Sequence, residues 1–136
     1  MEKDFTPYEQ ALALKELGFN RRTSAQYNTR QGDEWILTFD LSGEGQYPNN
    51  SSACIAPTFS QAFRWFREKY SLSVWVTSKT VESNTIYIPC GRTIPDTIKK
   101  ELAVDIIPYA AFKNYEEAEL ECLKKLIEIV KTKEVC

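Results

Sequence analysis

A chain of 136 residues, 43% of them hydrophobic and 12% aromatic, has the size of one globular domain and can remove roughly two thirds of its unfolded surface from water. Residues 1–136 are therefore expected to form a single domain. The formal charge of -2 supplies no overall field to attract a polyanion, and no apolar run approaches the roughly 20 residues that cross a bilayer. Histidine is absent, which excludes Ser-His-Asp and Cys-His catalysis, imidazole metal ligation and the usual proton carrier near neutrality.

The opening MEKDFTPYEQ lacks the apolar stretch and small-residue cleavage site of a secretory leader, so a cytoplasmic protein is expected. Consistent with that compartment, Cys54, Cys90, Cys122 and Cys136 form no C-x-x-C pair and read as free thiols. Thr6-Pro7-Tyr8-Glu9 predicts a helix start with a capping box and with Pro7 at the first helical position. The helix should run inward along Ala11, Leu14 and Leu17 and stop at Gly18, with Phe19 folding back on Leu14. SAQYNTR and EWILTFD then flank the turn Gln31-Gly32-Asp33, and the alternation of Trp35, Leu37 and Phe39 predicts a hairpin. LSGEGQYPNNSSACIAP, rich in Gly, Ser, Asn and Pro, reads as a loop.

Thr58-Phe59-Ser60-Gln61 starts a second helix with another capping box. Its stripe of Phe59, Ala62, Phe63, Phe66 and Tyr70 belongs to a core, while Arg64 and Glu68 point away from it. Trp65 lies outside the stripe beside Lys69, and Arg67 sits on the opposite edge. SVWVTSK and NTIYIPC predict a second hairpin, with Val74, Val76, Ile86 and Ile88 on one face and Trp75 and Tyr87 on the other. Helix, strand, strand thus occurs twice, as if one supersecondary unit were repeated. Residues 91–113 read as a short helix over 96–102 and a strand over 103–107. Asn114-Tyr115-Glu116-Glu117 opens the last helix, which is apolar on both sides: Ala118, Cys122, Leu126 and Ile129 on one, Leu120, Leu123, Ile127 and Val130 on the other. Such a helix is either wedged centrally or meets a second chain. The fold expected is α+β, an antiparallel sheet of about four strands packed on helices in the order α-β-β-α-β-β-(α/β)-α.

No P-loop, dinucleotide fingerprint or nucleophile elbow is present. The carboxylates Glu116, Glu117, Glu119 and Glu121 belong to the solvated start of a helix, and no calcium loop accompanies them. No catalytic residue, metal ligand or cofactor is expected. What remains is a surplus of aromatic side chains, which points to a non-enzymatic interaction module that binds a protein partner or itself. Trp65, Trp75 and Tyr87, with Arg64, Arg67 and Lys69, are the candidate contact residues. The alternative is a nucleic-acid binder using the basic and aromatic flank of the second helix, with Arg21, Arg22 and Arg30 in support.

YEQALALKELGF, SQAFRWFREKY and YEEAELECLKKLIEIVK, in that order, resemble blocks in a group of small proteins encoded by phages and prophages of Bacteroides-type gut bacteria. The resemblance spans the three predicted helices. It implies a phage-genome origin and expression in the cytoplasm of the bacterial host. The group brings no activity with it, so no residue inherits a role.

Overall fold

The computed structural model describes residues 2–30, 34–39, 53–95, 98, 100 and 102–135. Its contacts divide the chain into two compact units, Met1–Ala62 and Phe63–Cys136. The architecture is α+β: the described residues hold three α-helices and two antiparallel sheets, one of three strands and one of two. The strands therefore do not form one sheet of four.

The first unit opens with a 3₁₀ turn, Glu2–Asp4, and helix α1, Tyr8–Glu16. The capping box expected at Thr6 is not made. Thr6 is fully buried, its hydroxyl has no hydrogen-bond partner among the described residues, and Pro7 occupies the cap position in an extended conformation. The reason is that the Thr6 backbone is held from outside the helix. Its N–H donates to the Pro57 carbonyl at 2.9 Å, and its carbonyl accepts from the Tyr27 hydroxyl at 2.7 Å. The other end of α1 follows the sequence. Gly18 takes a φ of 96°, which a side chain would disfavour. Phe19 N–H reaches the Leu14 carbonyl at 2.9 Å and Gly18 N–H reaches Lys15 at 3.1 Å, the paired bonds of a Schellman cap.

Strands β1, Ala25–Arg30, and β2, Glu34–Phe39, pair antiparallel as expected, with Tyr27 opposite Leu37 and Ala25 opposite Phe39. The turn 31–33 and the Trp35 side chain lie outside what is described. Leu37, Phe39 and Tyr27 pack against a buried cluster of Phe5, Ala25 and Ala56, and the Phe5 and Phe39 rings meet edge to face at 5.3 Å. A third strand, β3, Ala53–Ile55, pairs with β1 inside the stretch read as a loop. Three residues with Asn and Ser before them and Pro after carry too little alternation to be seen in advance. Helix α2, Phe59–Tyr70, has the expected box: Thr58 N–H donates to Gln61 Oε1 at 2.9 Å, and Gln61 N–H donates to Thr58 Oγ1 at 3.1 Å. The division between units falls within this helix.

The second unit is built on a ten-residue hairpin, β4, Leu72–Val81, and β5, Asn84–Thr93. Glu82 and Ser83 connect them with φ of 50° and 69°, a two-residue turn of type I′ made without glycine. Helix α3, Tyr115–Val135, starts at Asn114, whose side-chain oxygen accepts from Glu117 N–H at 2.9 Å. Ala118, Cys122, Leu123, Leu126, Ile127 and Val130 are buried, so both apolar sides of α3 are used within the chain. Leu120 and Ile129 are half-buried.

Candidate partner-binding face

The hairpin register decides which side chains share a surface. Trp75 stands opposite Cys90, Val76 opposite Pro89, and Ser78 opposite Tyr87. Residues directly across an antiparallel pair point to the same side. One face therefore carries Leu72, Val74, Val76, Tyr87 and Pro89, and the other carries Trp75, Ile86, Ile88, Cys90 and Arg92. This corrects the expected faces: Trp75 shares its side with Ile86 and Ile88, and Tyr87 belongs with Val74 and Val76. Tyr87 turns toward α3, its ring 6.1 Å from that of Tyr115. The Cys122 thiol of α3 donates to the Trp75 carbonyl at 3.6 Å.

Trp75 remains 42% exposed on the outer face. The Arg92 guanidinium lies 6.0 Å from its ring centroid and donates from Nε to Asp105 Oδ1 at 2.8 Å. Asp105 belongs to a segment that runs along the free side of β5. Thr93 N–H donates to the Val104 carbonyl, Ile106 N–H to the Gly91 carbonyl, and Tyr87 and Phe112 exchange both backbone bonds at 2.9 Å. The strand expected over 103–107 is thus one isolated bridge, Arg92 opposite Asp105, rather than a ladder, and the helix expected over 96–102 falls largely outside the described residues. Gly91 makes this approach possible, since a Cβ there would come within 2.9 Å of Ile106 Cγ1. Between β5 and the segment opens a cleft of about 320 Å³, lined by Trp75, Ile88, Cys90, Arg92, Ile107 and Tyr109 among others. Tyr109 is 75% exposed.

The large apolar side chains left exposed among the described residues all fall in the stretch from Trp75 to Tyr115: these two with Val81, Ile94, Ile98, Leu102, Val104 and Tyr109. The first unit exposes none among its described residues. The resolved titration shifts all run upward. Burial pushes the Cys122 thiol up to about 12. Burial, reinforced by the charge of Glu119, raises Tyr115. In the first unit burial raises Cys54 and Tyr8. Each resolved shift moves away from neutrality, whereas a general base or nucleophile needs the opposite. No group of three metal-ligating side chains occurs among the described residues, and none of their helices is long and apolar enough to cross a membrane.

The remaining candidates lie elsewhere. Trp65 is only 3% exposed, its ring edge-on to Phe66 at 5.1 Å and to Tyr70 at 5.5 Å. It is a buried side chain on the flank of the α2 stripe and offers little of its ring to a base or a partner. Lys69 caps it, with Nζ 5.0 Å from the ring centroid. Arg64 is exposed and paired with Glu68 at 2.8 Å, and Arg67 is exposed. Only Trp75, of the six candidates, belongs to the cleft. Arg92, Asp105, Ile107 and Tyr109 complete it, and no periodicity in residues 91–113 announced them. Compared with known protein families, curated proteins and solved structures, the chain matches none.

Proposed function

We propose that the protein is a non-enzymatic interaction module whose contact surface is the outer face of β4 and β5 with the adjoining segment 102–112. One observation carries this: every large apolar side chain exposed among the described residues belongs to the second unit, and two of them, Trp75 and Tyr109, line one cleft. Concentrations of that kind on a folded chain mark surfaces that meet another molecule. Trp and Tyr are the side chains from which contact hot spots are most often built. Arg92 and Asp105, paired at the rim, add a polar border of the sort that surrounds such a centre. The resemblance to phage- and prophage-encoded proteins supports an accessory role in a bacterial cytoplasm. The contact reading is preferred to the nucleic-acid alternative because Trp65, the aromatic of that flank, is buried.

Affinity capture from bacterial lysate tests the reading when the unchanged chain is compared with a Trp75→Ser, Tyr109→Ser double variant and with an Arg64→Ala, Arg67→Ala control. A protein retained by the unchanged chain and the control but lost by the double variant is expected. Retention that follows the arginines instead, or that ignores Trp75 and Tyr109, would overturn the assignment of this face.

A further inference from the structure

The two edges of the hairpin are treated differently. A two-residue turn makes its closing pair, Val81 and Asn84, a hydrogen-bonded pair, so the bonded pairs of this ladder are at odd positions of β4 and even positions of β5. The observed bonds from Tyr87, Gly91 and Thr93 outward to segment 104–112 agree with that alternation. It follows that Val74, Val76, Ser78 and Thr80 aim their backbone N–H and C=O groups away from β5. None of these groups has a hydrogen-bond partner among the described residues. The register runs from Leu72 opposite Thr93 to Val81 opposite Asn84 without a bulge, and β4 contains no proline. An edge strand that must stay alone is ordinarily interrupted or covered; β5 is covered, and β4 carries Lys79 as its one charge.

We infer that the edge of β4 pairs with β4 of a second copy, antiparallel about a two-fold axis at Thr77, giving a continuous four-stranded sheet β5-β4-β4-β5. Open backbone groups in a strand are satisfied by another strand, and an antiparallel pair of identical strands is self-complementary. The register is chosen by the side chains. Centred on Thr77, Val76 of one copy faces Ser78 of the other through backbone bonds. Lys79 of each copy lies opposite Trp75 of the other, in the non-hydrogen-bonded positions where side chains come closest. A cation then covers the ring that the single chain leaves 42% exposed. Centred one outward residue earlier, on Val76, the same strands would set Lys79 against Ser73 and lose that pairing.

This dimer rests on the outer face being a contact surface and names its occupant as a second copy of the chain. The test uses the full chain in light scattering over a range of concentrations, together with amide exchange. The expected result is a dimer in which the amides of Val76 and Ser78 become protected as concentration rises. Val76→Pro deletes an outward N–H that the single chain does not use, and should weaken dimerisation at least about tenfold. Thr77→Cys should cross-link to itself on oxidation, and Ser73→Cys should not, because only residue 77 meets its own copy. A chain that stays monomeric with those amides exchanging as open backbone overturns the dimer, as does a dimer indifferent to Val76→Pro. Cross-linking as strong through Ser73→Cys overturns the register. If the dimer fails while capture still depends on Trp75 and Tyr109, the contact-face reading stands with a different occupant; if both fail, both fall.

Discussion

Cys122 and Cys90 show how position alone separates two thiols in one unit. Cys122 is fully buried on α3, and removal from water raises its pKa from 9.0 to about 12, with the backbone N–H of Cys90 only partly opposing the shift. Cys90 lines the cleft and is half-buried. A thiol reagent at pH 8 is therefore expected to modify Cys90 well before Cys122, with Cys122 reacting only as the fold opens. Mass spectrometry of the labelled peptides checks this, and equal rates would contradict the burial. The sign of the pH effect follows from the same shift. Because the folded value is the higher one, the thiol destabilises nothing below about pH 9, and stability is lost as pH rises from there toward 12. Trp65 gives the complementary lesson. Its position on the helix was legible, but the extent of its burial was not, because a wheel drawn on α2 gives the direction of a side chain and not what packs against that side of the helix.

Capping at the level of elements separates what sequence determines locally from what packing overrides. Thr58 and Gln61 form the reciprocal box that their spacing announces, whereas Thr6, with the same spacing to Glu9, is pulled out of the cap by Pro57 and Tyr27. Thr58→Ala is expected to cost about 1 kcal/mol. Thr6→Val, which replaces a buried hydroxyl without a partner by a methyl group, should be neutral or stabilising. Denaturant unfolding of the two variants distinguishes them, and a large loss in Thr6→Val would show that its hydroxyl is used. The hairpins were legible as hairpins because their apolar residues alternate. The faces of the second were not, and the reason is parity. Grouping Val74 and Val76 with Ile86 and Ile88 requires an odd number of residues in the turn, while the chain turns on two, Glu82 and Ser83. Lacking the Asn-Gly or Asp-Gly that marks such a turn, the sequence hid its length, and one residue of slip exchanged Tyr87 for the isoleucines beside Trp75. β3 and the segment along β5 were invisible for a different cause: three paired residues and two isolated bridges have no period.

At the scale of the whole molecule, the width of the apolar surface on α3 had two explanations, and the chain uses that surface internally. The surplus that remains among the described residues lies on the second unit, where Trp75 and Tyr109 share a cleft. Side chains kept for contact contribute little to the fold that presents them, and this separates them from the core. Phe66, fully buried, should cost about 3–5 kcal/mol when replaced by alanine. The exposed pair should cost far less. The deciding measurement is the melting temperature of the Trp75→Ser, Tyr109→Ser chain beside that of Phe66→Ala, taken at a concentration low enough to keep copies apart. A contact face predicts a fall of no more than about 5 °C for the double variant against more than about 10 °C for Phe66→Ala. A fall in the double variant as large as that of Phe66→Ala would make Trp75 and Tyr109 part of the fold and contradict the account.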